Sequence, residues 1–292
     1  MEISFLIVTK HRAKDIAFTL DKLHTLIDVS KQEVLVFIDG CSETEALVNN
    51  YSWVKWTISK ESVSASPARY ELYKKAKGDI FIGLDDDAHP ISPNFILSVK
   101  DCFKHDAKLG VIAFQEVRGL YLSDVKAIEN SQKLSAHLAS DFVGCGFAIK
   151  KKVYDATSGF PVWMDIYGEE SAVAIEVLNL GYTILYYPEI KVNHRVNVEL
   201  RKLRGKNYYR FERQLKNSIN FYLVYYRHPF RKIAKVLWHN FTKYALKDSR
   251  YFRAYFKAVF KTIFGLAKVL KYRKPVNQET IKQKTDLQGL RY

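Results

Sequence analysis

Over its first hundred or so residues the chain alternates short apolar runs with stretches of helical period, and that alternation leaves few architectures open. The run "ISFLIVT" is a buried strand by its unbroken apolarity, and Ile16, Leu20, Leu23 and Ile27 then recur at helical spacing. "EVLVFID" is a second strand, and "SETEALVNNY" opens with Ser42 and Glu45 three apart, the pattern of a capping box at a helix start. "VKWTIS" is a third strand, "SPARYELYKKAKG" a helix with Pro67 near its start and Gly78 past its end, and "DIFIGLDDD" a fourth strand. Farther on, "GVIAFQEV" is a strand, "DFVGCGFAIKKKVYDATSGF" a strand, turn and short helix, "YGEESAVAIEVLNLG" a helix, and "YTILYYPEIKVNHR" a strand ending at His194. Strands interleaved with helices predict a Rossmann-like α/β fold, a mostly parallel central sheet with helices on both faces.

In such a sheet, ligands bind beyond the carboxyl ends of the strands. Polar residues stand there: Thr9 and Arg12 after the first strand, Asp39 after the second, and Asp85, Asp86 and Asp87 after the fourth. No GxGxxG or Walker loop follows the first strand, so phosphates would have to be held by other means than a glycine-rich backbone cradle. Three adjacent carboxylates repel and raise one another's pKa unless a cation or donor offsets them. In an extended chain Asp85 and Asp87, two apart, point to the same side and Asp86 to the other.

Charge divides the chain. Residues 201 to 292 hold 24 Lys and Arg against 4 Asp and Glu, a net +20, whereas the first 200 residues carry a net −5 within the overall +15. Two segments with different electrostatic roles are expected, 1–200 and 201–292. The three cysteines, Cys41, Cys102 and Cys145, show neither a disulfide framework nor zinc spacing. The opening "MEISFLIVTKHR" lacks a basic leader region, and no uncharged run approaches the roughly 20 residues that span a bilayer. A cytoplasmic protein is the expectation.

Taken in order, these segments resemble a family 2 glycosyltransferase of the GT-A fold, over roughly the first 200 residues. The resemblance rests on "SFLIVTKHR", on the aspartate of "VFIDGCSE", on "PAR" with Arg69, on Asp85-Asp86-Asp87, on the glycine-rich "FVGCGFAIKK", on the acidic "YGEES", and on Pro188, Val192 and His194. It implies an inverting, metal-dependent, hexosyltransferase-like enzyme that takes a nucleotide-diphosphate sugar as donor. Residues 1 to about 110 would form the nucleotide-sugar half and 111–200 the acceptor half. Thr9, Arg12, Asp39, Arg69, Asp85 and Asp86 would then meet the donor. Asp87 would bind a Mn²⁺ or Mg²⁺ ion directly, with Asp85 assisting and His194 completing the set. Both ions favour oxygen ligands, and Mn²⁺ also accepts imidazole.

Glycosyl transfer with inversion needs one general base near the acceptor hydroxyl. The family motif commonly ends in aspartate where this chain has Glu170, which is therefore the expected base, with Glu169 as the alternative. The chain also has Val173 at a second position where the family is acidic, and Glu176 where relatives often have arginine. On the acceptor side, a saccharide or lipid-linked saccharide is expected against Gly144, Gly146 and Trp163, though Trp163 suits a core equally well.

In the basic segment, Phe256, Phe260, Ile263, Ala267 and Leu270 share one helical face, with Lys257, Lys261, Lys268 and Lys271 on others. Amphipathic helices of this composition lie on anionic membrane surfaces. The alternative is that they pack on the catalytic domain or on a second copy of the chain. A nucleic-acid partner is not expected, because Asp39, Asp85, Asp87, Glu169 and Glu170 would repel a phosphate backbone. A nucleotidyltransferase or a catalytically weak sugar-nucleotide-binding scaffold are the competing readings of the fold. For a surface-bound enzyme, polysaccharide or glycolipid synthesis at the inner face of the cell membrane is the expected setting.

Overall fold

A computed structural model describes residues 1–289. Four parallel strands, β1 (Ile3–Thr9), β2 (Gln32–Asp39), β3 (Lys55–Ser59) and β4 (Ile80–Asp85), stand in the order β3-β2-β1-β4. The helices between and after them are α1 (Ala13–Leu26), α2 (Ser42–Glu45), α3 (Ala65–Tyr73) and α4 (Phe95–His105). Along β1, Ile3, Phe5 and Ile7 pack with Ile16 and Leu20 of α1 and Phe95 of α4, whereas Leu6 packs on the other face with Leu72 of α3. A strand covered on both faces needs apolar residues at every position, hence its unbroken apolar run.

Beyond β4 the sheet becomes mixed. The strands β5 (Ala88–Pro90), β6 (Leu109–Arg118), β7 (His137–Leu138), β8 (Gly146–Lys150) and β9 (Thr183–His194) join the same sheet. β8 inserts antiparallel between β4 and β6, β9 runs parallel to β6, and β5 pairs antiparallel with the end of β9. The helices of this half are α5 (Asp124–Glu129), α6 (Lys151–Ala156) and α7 (Glu169–Asn179).

Two local expectations are corrected. The capping box at Ser42 does not form: Cys41 is the N-cap, Ser42 is already helical, and the helix lasts four residues. The Cys41 sulfur lies 3.3 Å from Thr44 Oγ1 and accepts from the His11 backbone N–H. The fourth strand stops at Asp85, and Asp86 and Asp87 form a turn. Thr19 of α1 holds that turn by donating to the Asp86 carbonyl at 2.7 Å.

The basic segment folds into α8 (Val198–Arg204), α9 (Tyr208–Tyr225), α10 (Phe230–Lys243), α11 (Ser249–Leu270) and α12 (Gln278–Asp286). Asn207 and Asp248 cap α9 and α11 by accepting backbone N–H groups, as their side chains favour. α9 is buried from two sides. Val224 and Tyr225 pack with Trp163 and with Ala172 and Ile175 of α7, and Leu215, Ile219 and Leu223 pack with Tyr255 and Ala258 of α11. Arg273 closes its carboxyl end by donating to the carbonyls of Leu223, Tyr226 and Arg227. The outer sides of α10 and α11 stay exposed, with Phe264 at 86%, Phe230 at 77% and Trp238 at 70%. Among the described residues no helix is long and apolar enough to cross a membrane.

Candidate active site at the strand ends

Each of the three aspartates meets a cation from its own chain. Arg69, buried in α3, donates to Asp85 at 2.8 Å. Arg12, at the start of α1, donates to Asp86 at 2.9 Å and to Asp87 at 2.5 Å, and Thr9 donates to Asp86 at 2.8 Å. The β5–β9 pairing sets Ala88 opposite His194, and this register brings the imidazole beside Asp87 from more than a hundred residues away. Asp85, Asp87 and His194 thus converge despite the turn, with one ligand atom from each within 4.8 Å of the others.

This donor set fits a Mn²⁺-like ion. Asp87 Oδ1 is buried without a hydrogen-bond partner. His194 Nε2 lies 3.2 Å from it but outside hydrogen-bonding geometry. His194 Nδ1 faces Glu116 of β6, which orients the ring as carboxylates orient metal-binding imidazoles. Burial opposes charge on Asp87, but His194 and Arg12 outweigh it and hold the carboxyl well below the usual range. Asp86 goes the other way: burial, with the charge of Asp87 added, overcomes Arg12 and raises it to about 7. Burial likewise works against the imidazolium of His194, yet Asp87, Cys145 and Glu116 raise it to about 12.

Glu169 and Glu170 open α7 behind Gly168, where negative charge meets the positive end of the helix. Arg69 donates to Glu170 at 2.9 Å and approaches Glu169 at 3.5 Å, so one guanidinium ties both glutamates to Asp85. The two glutamates differ in exposure, 4% for the Glu169 side chain and 18% for Glu170, and Glu169 Oε2 is buried without a partner. Burial pushes both carboxyls upward, aided at Glu169 by the charge of Glu170 and opposed at both by Arg69. Gly144 is what lets this cluster close, since a Cβ there would meet Glu170 Oε1 at 2.3 Å and Arg69 Nη1 at 2.6 Å. Together these groups line a cleft of about 480 Å³.

The remaining sequence candidates fall in different places. Asp39 lines the cleft, but its carboxylate accepts from Ser62 Oγ at 2.6 Å and from the Val63 and Ser64 N–H groups, fixing the loop before α3. Gly146 begins β8, where a Cβ would press on Val192 at 2.6 Å, so it serves sheet packing. Trp163 sits in the core between α7 and α9, 6.2 Å from the Tyr225 ring, and outside the cleft lining. Glu176 is buried and accepts from Ser158, Tyr225 at 2.8 Å and Lys274 at 2.9 Å, locking the basic segment to α7.

Sequence reasoning missed the contribution of α9. Tyr209, Arg210 and Gln214 line the cleft, and the Arg210 guanidinium lies over the Tyr167 ring at 4.9 Å. Their signal was present in "NYYRFERQ", a helix start with polar residues on one side, but the surrounding positive charge obscured it.

No protein-family model matches the chain. An uncharacterized protein of Haemophilus influenzae is 26% identical over an alignment of 180 residues that covers 54% of this chain and 92% of that protein. Solved structures of the same fold include GalNAc-T7 with UDP, GalNAc and Mn²⁺ (TM-score 0.62, 15% identity, 80% of this chain). They also include the mannosyltransferase PcManGT from Pyrobaculum calidifontis with GDP-Man and Mn²⁺ (0.58, 16%, 97% of this chain and 83% of that one). A third is S. aureus TarS 1-349 (0.56, 14%, 93% and 90%). This chain spans about half the length of GalNAc-T7, 49%. The fold is therefore that of GT-A glycosyltransferases.

Proposed function

We propose that the protein is an inverting, metal-dependent glycosyltransferase of family 2 type that moves a sugar from a nucleotide-diphosphate donor to an acceptor hydroxyl. One observation carries this reading: Asp85 belongs both to the Asp85, Asp87 and His194 cation set and to the lining of the cleft that holds Glu169 and Glu170, and Arg69 joins it to both glutamates. A bound Mn²⁺ or Mg²⁺ would supply positive charge against the donor diphosphate and its leaving group. Arg12 and Arg69 present guanidinium forks suited to phosphate oxygens, and Thr9 and Asp39 border the nucleotide end of the cleft.

Of the two glutamates, Glu169 is the more buried, and burial with the charge of Glu170 pushes its carboxyl upward, which favours it as the protonated member and leaves Glu170 an anion steadied by Arg69. Glu170 takes the proton of the acceptor hydroxyl as that oxygen bonds to the anomeric carbon and the bond to the diphosphate oxygen breaks. One displacement inverts the configuration.

Calorimetric titration with UDP, dTDP, GDP and CMP, each with Mn²⁺ and with EDTA, tests the donor site. Metal-dependent binding of one nucleotide is expected. No binding by any of them to the folded protein overturns the reading.

We also propose that α10 and α11 seat the enzyme on an anionic membrane. Phe256, Phe260, Ile263 and Phe264 are exposed on α11 beside Arg253, Lys257 and Lys261, with Phe230 and Trp238 on α10. Aromatic anchors flanked by cations match an anionic interface, each cation contributing about 1 kcal/mol. Vesicles with anionic lipid should sediment the protein and neutral ones should not. Equal recovery from both, or a stable dimer covering this face, would sink the proposal.

A further inference from the structure

Tyr167, Gly168 and Gln214 border two cavities at once. One is the cleft above. The other, about 570 Å³, lies between the α7 end of the catalytic domain and α9, α10 and α12, lined by Phe221, Tyr222, Tyr226, Asn217, Lys232 and Lys284 among others. Resting on the glycosyl-transfer reading, we propose that this second cavity is the acceptor subsite and that its ligand is a saccharide carrying an anionic group.

Continuity comes first. Gly168 immediately precedes Glu169 and Glu170, and nothing lies within 4 Å of where its Cβ would stand. A saccharide in the second cavity therefore reaches the base across a residue with no side chain. The wall also holds an unmet polar atom. Asn217 is 2% exposed, and its Nδ2 donates to Asp165 Oδ1 at 3.1 Å, the Ile166 carbonyl at 2.8 Å and the Tyr167 carbonyl at 3.0 Å. All three are acceptors, which fixes the amide orientation and leaves Asn217 Oδ1 buried without a donor. A sugar hydroxyl is a donor of the right kind.

The rest of the lining suits the same ligand. Phe221, Tyr222 and Tyr226 form one ring cluster, with Tyr222 and Tyr226 at 4.8 Å, giving broad apolar surface with polar tips for a pyranose. Lys284 is held by the Ser140 carbonyl and Asp141, whereas Lys232 meets no carboxylate among the described residues. Lys232, 6.0 Å over the Tyr226 ring, thus brings an unneutralised ammonium to the cavity wall, which selects for an anion, a phosphate or a carboxylate.

The test is saturation-transfer NMR on the full chain with Mn²⁺ and the nucleotide that binds the cleft, using glucuronate, glucose 6-phosphate and neutral methyl β-glucoside as probes. Signal from the anionic sugars above the glucoside is expected, and the stronger of the two separates carboxylate from phosphate. Ser218→Trp, which fills the cavity, and Lys232→Glu, on an exposed helix face, should each lower that signal roughly fivefold with nucleotide affinity unchanged. Unchanged signal in both variants, no preference for charge, or no signal from any sugar overturns the proposal while leaving the donor site standing. Should Ser218→Trp fail to fold, Lys232→Glu alone decides. Failure of every nucleotide to bind instead removes the reading beneath it.

Discussion

At the strand ends every aspartate of the Asp85–Asp87 run is matched by Arg12, Arg69 or His194, whereas Arg231, Lys235 and Lys243 on α10 and Arg253 and Lys268 on α11 meet no carboxylate among the described residues. The contrast follows from solvation. A desolvated carboxylate must find its counterion inside the protein, while an ammonium in water needs none. The strand-end acids thus have their counterions inside the fold, and the helical face keeps its cations in water, the difference on which both proposals above rest.

The sharpest break in that comparison comes from the base. Glu170→Gln should lower kcat by about 10²–10⁴ with nucleotide binding intact, while Glu169→Gln, which imitates a protonated neighbour, keeps most activity. Steady-state rates decide, and an equal loss in both would reverse the roles. Asp87→Asn comes next, weakening Mn²⁺-dependent nucleotide binding by roughly 10–100-fold in calorimetry. On the other region, Phe260→Glu with Phe264→Glu should cut partition onto anionic vesicles by at least about tenfold and leave nucleotide affinity alone. If nucleotide affinity falls as well, the two regions are not independent.

The smallest effect is on stability. The folded-state pKa of Glu169 is raised, so the fold binds more protons than the unfolded chain above the ordinary carboxylate pKa near 4.5. The Glu169 contribution to stability is then fully present at or below that pH and is lost as pH rises toward neutrality and beyond, by at most about 1.4 kcal/mol per unit for one proton. Urea unfolding from pH 5 to 8 should show that decline, to which the raised Asp86 and His194 also contribute, and Glu169→Gln should make it shallower.

Much of the cleft was legible because its parts are linear. Apolar runs ending in Asp39 and Asp85, and a strand ending in His194, state their own positions in a parallel sheet. The insertion of β8 between β4 and β6 was not legible, since antiparallel pairing across distant segments leaves no local period. Nor was the division of the basic segment. α9 turns one side to α11 and another to Trp163, yet its sequence carries the same mixture of aromatic and basic residues as the exposed α11. Composition shows that such a helix is amphipathic and is silent on which partner its apolar side meets. Asp39 shows the opposite limit, a cleft-lining acid whose oxygens are spent on its neighbouring loop.

The three-residue strand β5 has a consequence for synthesis. Its pairing of Ala88 with His194 means that the cation set needs two segments more than a hundred residues apart, the second being the end of β9. A contact of such long sequence separation closes late, after the local helices and the β1–β4 sheet can already have formed. A nascent chain therefore carries its aspartates well before His194 reaches them, and if the proposed donor site is right, the onset of metal-dependent nucleotide binding would serve as a clock for that pairing.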